Sequence, residues 1–127
     1  MAWRSRRDRG SFALELAIVA PALFGVVAFL VSVGRVTEAR ALAEGAARDA
    51  ARAASINHAG NARAAAAAAV RRAVGERDCD PPVLDPGQPV PGQLVTARVS
   101  CRATTAWGTQ TVTRIARSVT DTYRSVE

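Results

Sequence analysis

The sequence predicts an α+β chain carried on one long membrane helix. The helix crosses the membrane near the N-terminus and continues beyond it, followed by a second alanine-rich helix and a C-terminal antiparallel β-hairpin. Three observations predict this. Leu16–Gly34 carries no charged side chain. Arg35–Ser55 contains no proline and a single glycine, Gly45. Leu94–Cys101 alternates, with Val95, Ala97, Val99 and Cys101 on one face, the period of a half-buried strand.

The uncharged run is 19 residues long, about 28 Å of helix at ~1.5 Å per residue and close to the ~30 Å hydrocarbon core of a bilayer. It has no polar face, unlike the core helix of a soluble protein. Pro21 lies inside it, removing one backbone donor and crowding the carbonyl of Ala17, which membrane helices tolerate. Flanking charge sets the orientation. Arg4, Arg6, Arg7 and Arg9 precede the run, opposed only by Asp8, whereas Arg35 and Arg40 beyond it are balanced by Glu38 and Glu44. The arginine-dense end should stay in the cytoplasm. The expected division is a basic cytoplasmic leader over 1–10, a transmembrane helix over 11–34 and an exported domain over 35–127. A cleavable secretory signal is the alternative, with Ser32 and Gly34 at small-x-small spacing before the cut. The run exceeds the usual h-region of ~7–15 residues.

The formal charge is +6, all of the basic side chains being arginine. Beyond the membrane run, 13 arginines are scattered among nine acidic residues rather than clustered with aromatics. Nucleic-acid binding is therefore not expected. His58 is the single histidine and is read as a solvated turn residue. With no second histidine, thiolate cluster, phosphate loop or nucleophile motif, no catalytic residue, metal site, cofactor or small-molecule substrate is expected.

Glu15 is the residue that a plain membrane anchor does not explain. A carboxylate costs about 2.5–3.5 kcal/mol at the centre of a membrane helix, and less near its end. It stands in the stretch Arg9-Gly10-Ser11-Phe12-Ala13-Leu14-Glu15, ahead of an unbroken apolar helix. This stretch resembles the processing site of type IV prepilins. The resemblance implies cleavage after Gly10 by a membrane-embedded prepilin peptidase, with Ser11 first and Glu15 fifth in the mature chain. The new Ser11 amine and a buried carboxylate on a neighbouring subunit could then offset each other's desolvation. Ser11 stands where pilins usually carry phenylalanine.

The match is closer still to the TadE-like pseudopilins of tight-adherence (Flp-type) pilus systems. It runs through Leu16-Ala17-Ile18-Val19-Ala20-Pro21 and resumes in the glycine-arginine exit, Gly34-Arg35, and the alanine-rich helix to Ala54. It implies a pilin-like fold, a structural role in pilus assembly or a related secretion apparatus, and TadF-like and other pilin-like partners engaged through the N-terminal helix. The rival from another class is a small secreted binding domain released after Gly34.

Beyond the membrane, Val36, Ala39, Ala43, Ala46, Ala50 and Ala53 alternate at spacings of three and four, a coiled-coil-like seam. In the same register backward lie Ser32, Phe29, Gly25, Ala22, Ile18 and Glu15, so small residues on this stripe would let another helix approach. Helices are expected over 35–55 and 61–75, with Gly60 in the turn between them, Asn61 as N-cap and Gly75 closing the second. The proline-rich segment 76–92 is expected to be a loop, and 93–120 a hairpin turning at Trp107-Gly108. Asp121–Glu127 is expected to fray. Cys79 and Cys101 are the only cysteines, both on the exported side, and form a disulfide candidate in an oxidising compartment.

Overall fold

In the computed structural model a single helix, α1, runs from Arg7 to Ile56 without a break, 50 residues and about 75 Å long at ~1.5 Å per residue. The structure describes residues 7–122. The first arginines of the basic leader and the tail beyond Thr122 lie outside them, as does most of the fraying expected of Asp121–Glu127. Pro21 sits within α1. Helix α2 spans Ala62–Val74. Three strands follow: β1 (Val83–Asp85), β2 (Leu94–Thr105) and β3 (Gly108–Val119), forming one antiparallel sheet in the order β1-β2-β3.

Each end of α2 has a local cause. Asn61 Oδ1 accepts from the Ala64 N–H at 3.0 Å, satisfying one of the donors a helix start leaves free. At the other end Gly75 takes φ +59° and donates its N–H to the Arg71 carbonyl at 3.0 Å, a conformation that suits a residue without Cβ.

The core is built largely from alanine. Ala43, Ala46, Ala47, Ala50, Ala51 and Ala54 of α1 pack with Ala62, Ala66, Val70 and Val74 of α2 and with Val95, Ala97, Val99 and Cys101 of β2. Small side chains on α1 allow the sheet and α2 to close on the same helix. The alternation read in β2 is the observed burial, Val95, Ala97, Val99, Cys101 and Ala103 being inside. The hairpin register runs from Leu94↔Val119 to Thr105↔Gly108. The hairpin lies along α1, with Ser118 Oγ 3.2 Å from Ser55 Oγ at one end and the Ala106 N–H 3.1 Å from Ser32 Oγ at the other.

Two features depart from the sequence reading. The segment expected as a loop contains β1, pairing Val83, Leu84 and Asp85 with Arg98, Ala97 and Thr96. Prolines flank this run, and β1 sits at the sheet edge, where missing donors are tolerated. His58 is in the turn between the helices but is buried rather than solvated. Its Nδ1 lies 3.0 Å from the Ser55 carbonyl. Its own carbonyl accepts from Gln88 Nε2, which also donates to Gly60 O at 2.8 Å, while Gln88 Oε1 accepts from Ala62 N–H at 3.3 Å. One amide from the proline-rich segment thus fastens the α1–α2 turn.

Cys79 meets Cys101 in an isolated antiparallel bridge, with Cα atoms 4.0 Å apart and the sulfurs bonded. Flanking hydrogen bonds, Asp80 N–H to Ser100 O and Arg102 N–H to Asp78 O, both 2.8 Å, hold the approach independently of the sulfurs. Closing a loop across a sequence separation of 22 stabilises by about 3 kcal/mol in the chain-entropy model. Chain isolated from the native envelope is therefore expected to resist alkylation until reduced, and its folded domain to lose about 3 kcal/mol on reduction. Two cysteines that alkylate freely without reductant would refute this.

Candidate functional site

Among the described residues, the N-terminal half of α1 is almost uncovered by its own chain. Only 6% of its apolar window is buried, and it is the one helix among the described residues long and apolar enough to cross a membrane. Phe24 is 75% exposed and Ile18 70%. A contiguous apolar surface of this extent is unstable in water and calls for lipid or for other helices. The low burial also distinguishes it from the core helix of a soluble fold.

Gly10, Ser11 and Glu15 lie at the start of this exposed stretch, all three on the helix and all exposed. Ser11 and Glu15 are separated by four positions, so they share one face. A Cβ placed on Gly10 would meet nothing within 4 Å. Among the described residues, packing therefore gives no reason for a glycine that costs roughly 0.5–1 kcal/mol relative to alanine inside a helix. Gly10 is near the N-terminal end of α1 as the structure describes it. The Gly34–Arg35 bond is placed differently. It is deep inside α1, and the residues around it hold the hairpin. Ser32 Oγ accepts from Ala106 N–H at 3.1 Å, and Arg35 donates to the Thr104 carbonyl at 3.1 Å.

The seam expected to receive another helix divides into two parts. Glu15, Ile18, Ala22, Gly25 and Phe29 are exposed. From Ser32 onward the same stripe turns inward: Ser32, Ala39, Ala43, Ala46 and Ala50 are buried, and Val36 and Ala53 half-buried. Its occupant there is the chain's own sheet and α2, so only the part before Ser32 remains open to another subunit. This distinction is testable by overpacking. Ala46→Leu, at a fully buried position, is expected to destabilise the domain by about 1–3 kcal/mol. Ala22→Leu should leave its thermal unfolding unchanged, and equal effects of the two would refute the division.

Part of the charge on the folded domain is paired along its surface. Arg77 donates to Glu38, and this bond, with the charge of the guanidinium, holds the Glu38 carboxyl below its ordinary value and Arg77 above its own. Arg102 reaches Asp80 at 2.9 Å and Asp78 at 3.4 Å, beside the disulfide. Among the described residues no group of three or more His, Cys, Asp or Glu side chains converges to hold a metal ion.

Residues 10–52 match the family model described as TadE-like protein. The match begins at Gly10 and lies wholly within α1, so α2 and the sheet fall outside it. No curated protein and no solved structure matches the chain. The family is structural rather than catalytic. Residues 10–52, most of the long helix, are thus similar to the TadE-like family, a similarity that suggests involvement in tight-adherence pilus assembly.

Proposed function

We propose that this chain is a minor pilin or pseudopilin of a tight-adherence (Flp-type) pilus-assembly apparatus, or of a related secretion machine. The basic leader, 1–10, stays in the cytoplasm, 11–34 crosses the membrane and 35–127 is exported. A prepilin peptidase removes the leader after Gly10, and the exposed half of α1 then engages TadF-like and other pilin-like subunits. The observation that carries this reading is the pairing of Gly10-Ser11 and Glu15 with an apolar helix face that its own domain leaves uncovered. The rival, a binding domain released after Gly34, is disfavoured because the cut would separate Ser32 from the hairpin it holds and would require opening the middle of α1. Deleting the chain from its host is expected to abolish surface piliation, and affinity capture of the intact chain from membranes to recover pilin-like subunits. A deletion strain with normal pili, and a chain captured without them, would overturn the proposal.

A further inference from the structure

The β2–β3 turn is unusual for an exposed hairpin tip. Its most prominent side chain is Trp107, 70% exposed, on a turn otherwise made of Thr105, Ala106 and Gly108. The hairpin does not point away from the membrane helix. It runs along α1 so that the tip meets Ser32, two positions before the end of the uncharged run, or ~3 Å along the axis at ~1.5 Å per residue. If α1 crosses the bilayer over that run, the tip lies at the boundary between hydrocarbon and headgroups.

Several polar groups of the turn have partners within the protein. The Ala106 N–H donates to Ser32 Oγ at 3.1 Å, and Ser32 in turn donates to the Ala28 carbonyl at 2.8 Å. The Trp107 N–H lies 3.3 Å from Thr105 Oγ1, which donates to the Gly108 carbonyl at 2.7 Å. Arg35 covers the Thr104 carbonyl at 3.1 Å. Internal partners of this kind lower the cost of placing a turn near lipid, where water is not there to satisfy them. Between tip and helix is an open cleft of about 300 Å³, lined by Phe29, Val33, Val36, Arg40 and Trp107 among others. Apolar rings with an arginine beside them match the interfacial layer, where an indole is favoured and an arginine can reach lipid phosphate.

We propose that the β2–β3 tip is a second membrane contact of this chain, with the Trp107 indole seated in the headgroup layer of the leaflet from which α1 emerges. The contact fixes the tilt and rotation of the folded domain relative to the bilayer, and it holds whichever way the chain is oriented. It rests on α1 being a membrane span. The test uses the full chain with Trp3→Phe, leaving Trp107 as its single tryptophan, reconstituted in phosphatidylcholine–phosphatidylglycerol vesicles. The expected result is a blue-shifted emission quenched by brominated lipids, more strongly when the bromines are near the headgroup than near the chain end. Water-like, unquenched emission from chain that floats with the vesicles would overturn the proposal while leaving the span intact. Blue-shifted emission indifferent to brominated lipid would also overturn it, placing the indole against another protein subunit. Chain that fails to float with the vesicles would remove the span itself and the proposal with it.

Discussion

Chain extracted from membranes that contain a cognate prepilin peptidase is expected to begin at Ser11, and Gly10→Ala to remain full length in the membrane. The wild-type cut removes a leader carrying four arginines and one aspartate, so the formal side-chain charge falls from +6 to +3. The glycine has two physical consequences at this bond. It lets a protease approach the backbone without meeting a Cβ, and it weakens the helix around it, which must open before the peptide can enter an active site. Alanine reverses both. It fills the approach with a methyl group and favours the helix by roughly 0.5–1 kcal/mol. Displacing a reacting bond by even ~1 Å can cost about 100-fold in rate, so the variant should appear uncut rather than slowly cut. The intact mass of the membrane-extracted chain decides. A variant processed like wild type would remove the assignment of Gly10, and a wild-type N-terminus at Arg35 would favour the signal-peptide rival.

How much of such a site is legible in the sequence depends on how local it is. Gly10, Ser11 and Glu15 lie within six positions, and their relation follows from helix spacing alone. The caps of α2 and the alternation in β2 are equally local, and residue type and period suffice to read them. The seam is legible as a pattern but not as a contact. Alanine fits against any neighbour, so Ala43, Ala46 and Ala50 do not show whether a second chain or their own sheet covers them. β1 escapes because three residues between prolines are too few to display a period. His58 and Gln88 escape because their bond spans 30 positions, and a glutamine in a proline-rich stretch ordinarily signifies solvent. The turn at Trp107-Gly108 is readable, but its seat on Ser32, 74 residues away, is a product of tertiary packing.

Glu15→Gln should separate processing from assembly. The substitution keeps size and hydrogen-bonding capacity but removes the charge, and Glu15 is exposed at the start of the helix, so the fold of the exported domain should be unaffected. The peptidase acts five positions earlier, at a bond whose geometry does not involve the carboxylate, and the variant should therefore still be cut. Assembly makes a different demand. Cleavage exposes the Ser11 α-amine beside an apolar helix surface. When helices pack together, that amine leaves water. An unpaired buried charge is costly, and removing one partner of a buried pair typically costs about 3–5 kcal/mol. A neighbour's Glu15 carboxylate offsets the amine, whereas glutamine supplies only a dipole. Expressed through an equilibrium, such a loss lowers subunit association more than 100-fold at about 1.4 kcal/mol per tenfold. The decisive comparison is piliation and co-purification with pilin-like subunits in strains carrying wild-type, Glu15→Gln and Gly10→Ala chains. The processed Glu15→Gln chain should be present at its normal level in the membrane yet recover few partners. Normal assembly by that processed chain would show that Glu15 sits passively at the membrane boundary, and would eliminate the charge pair while leaving cleavage after Gly10 standing.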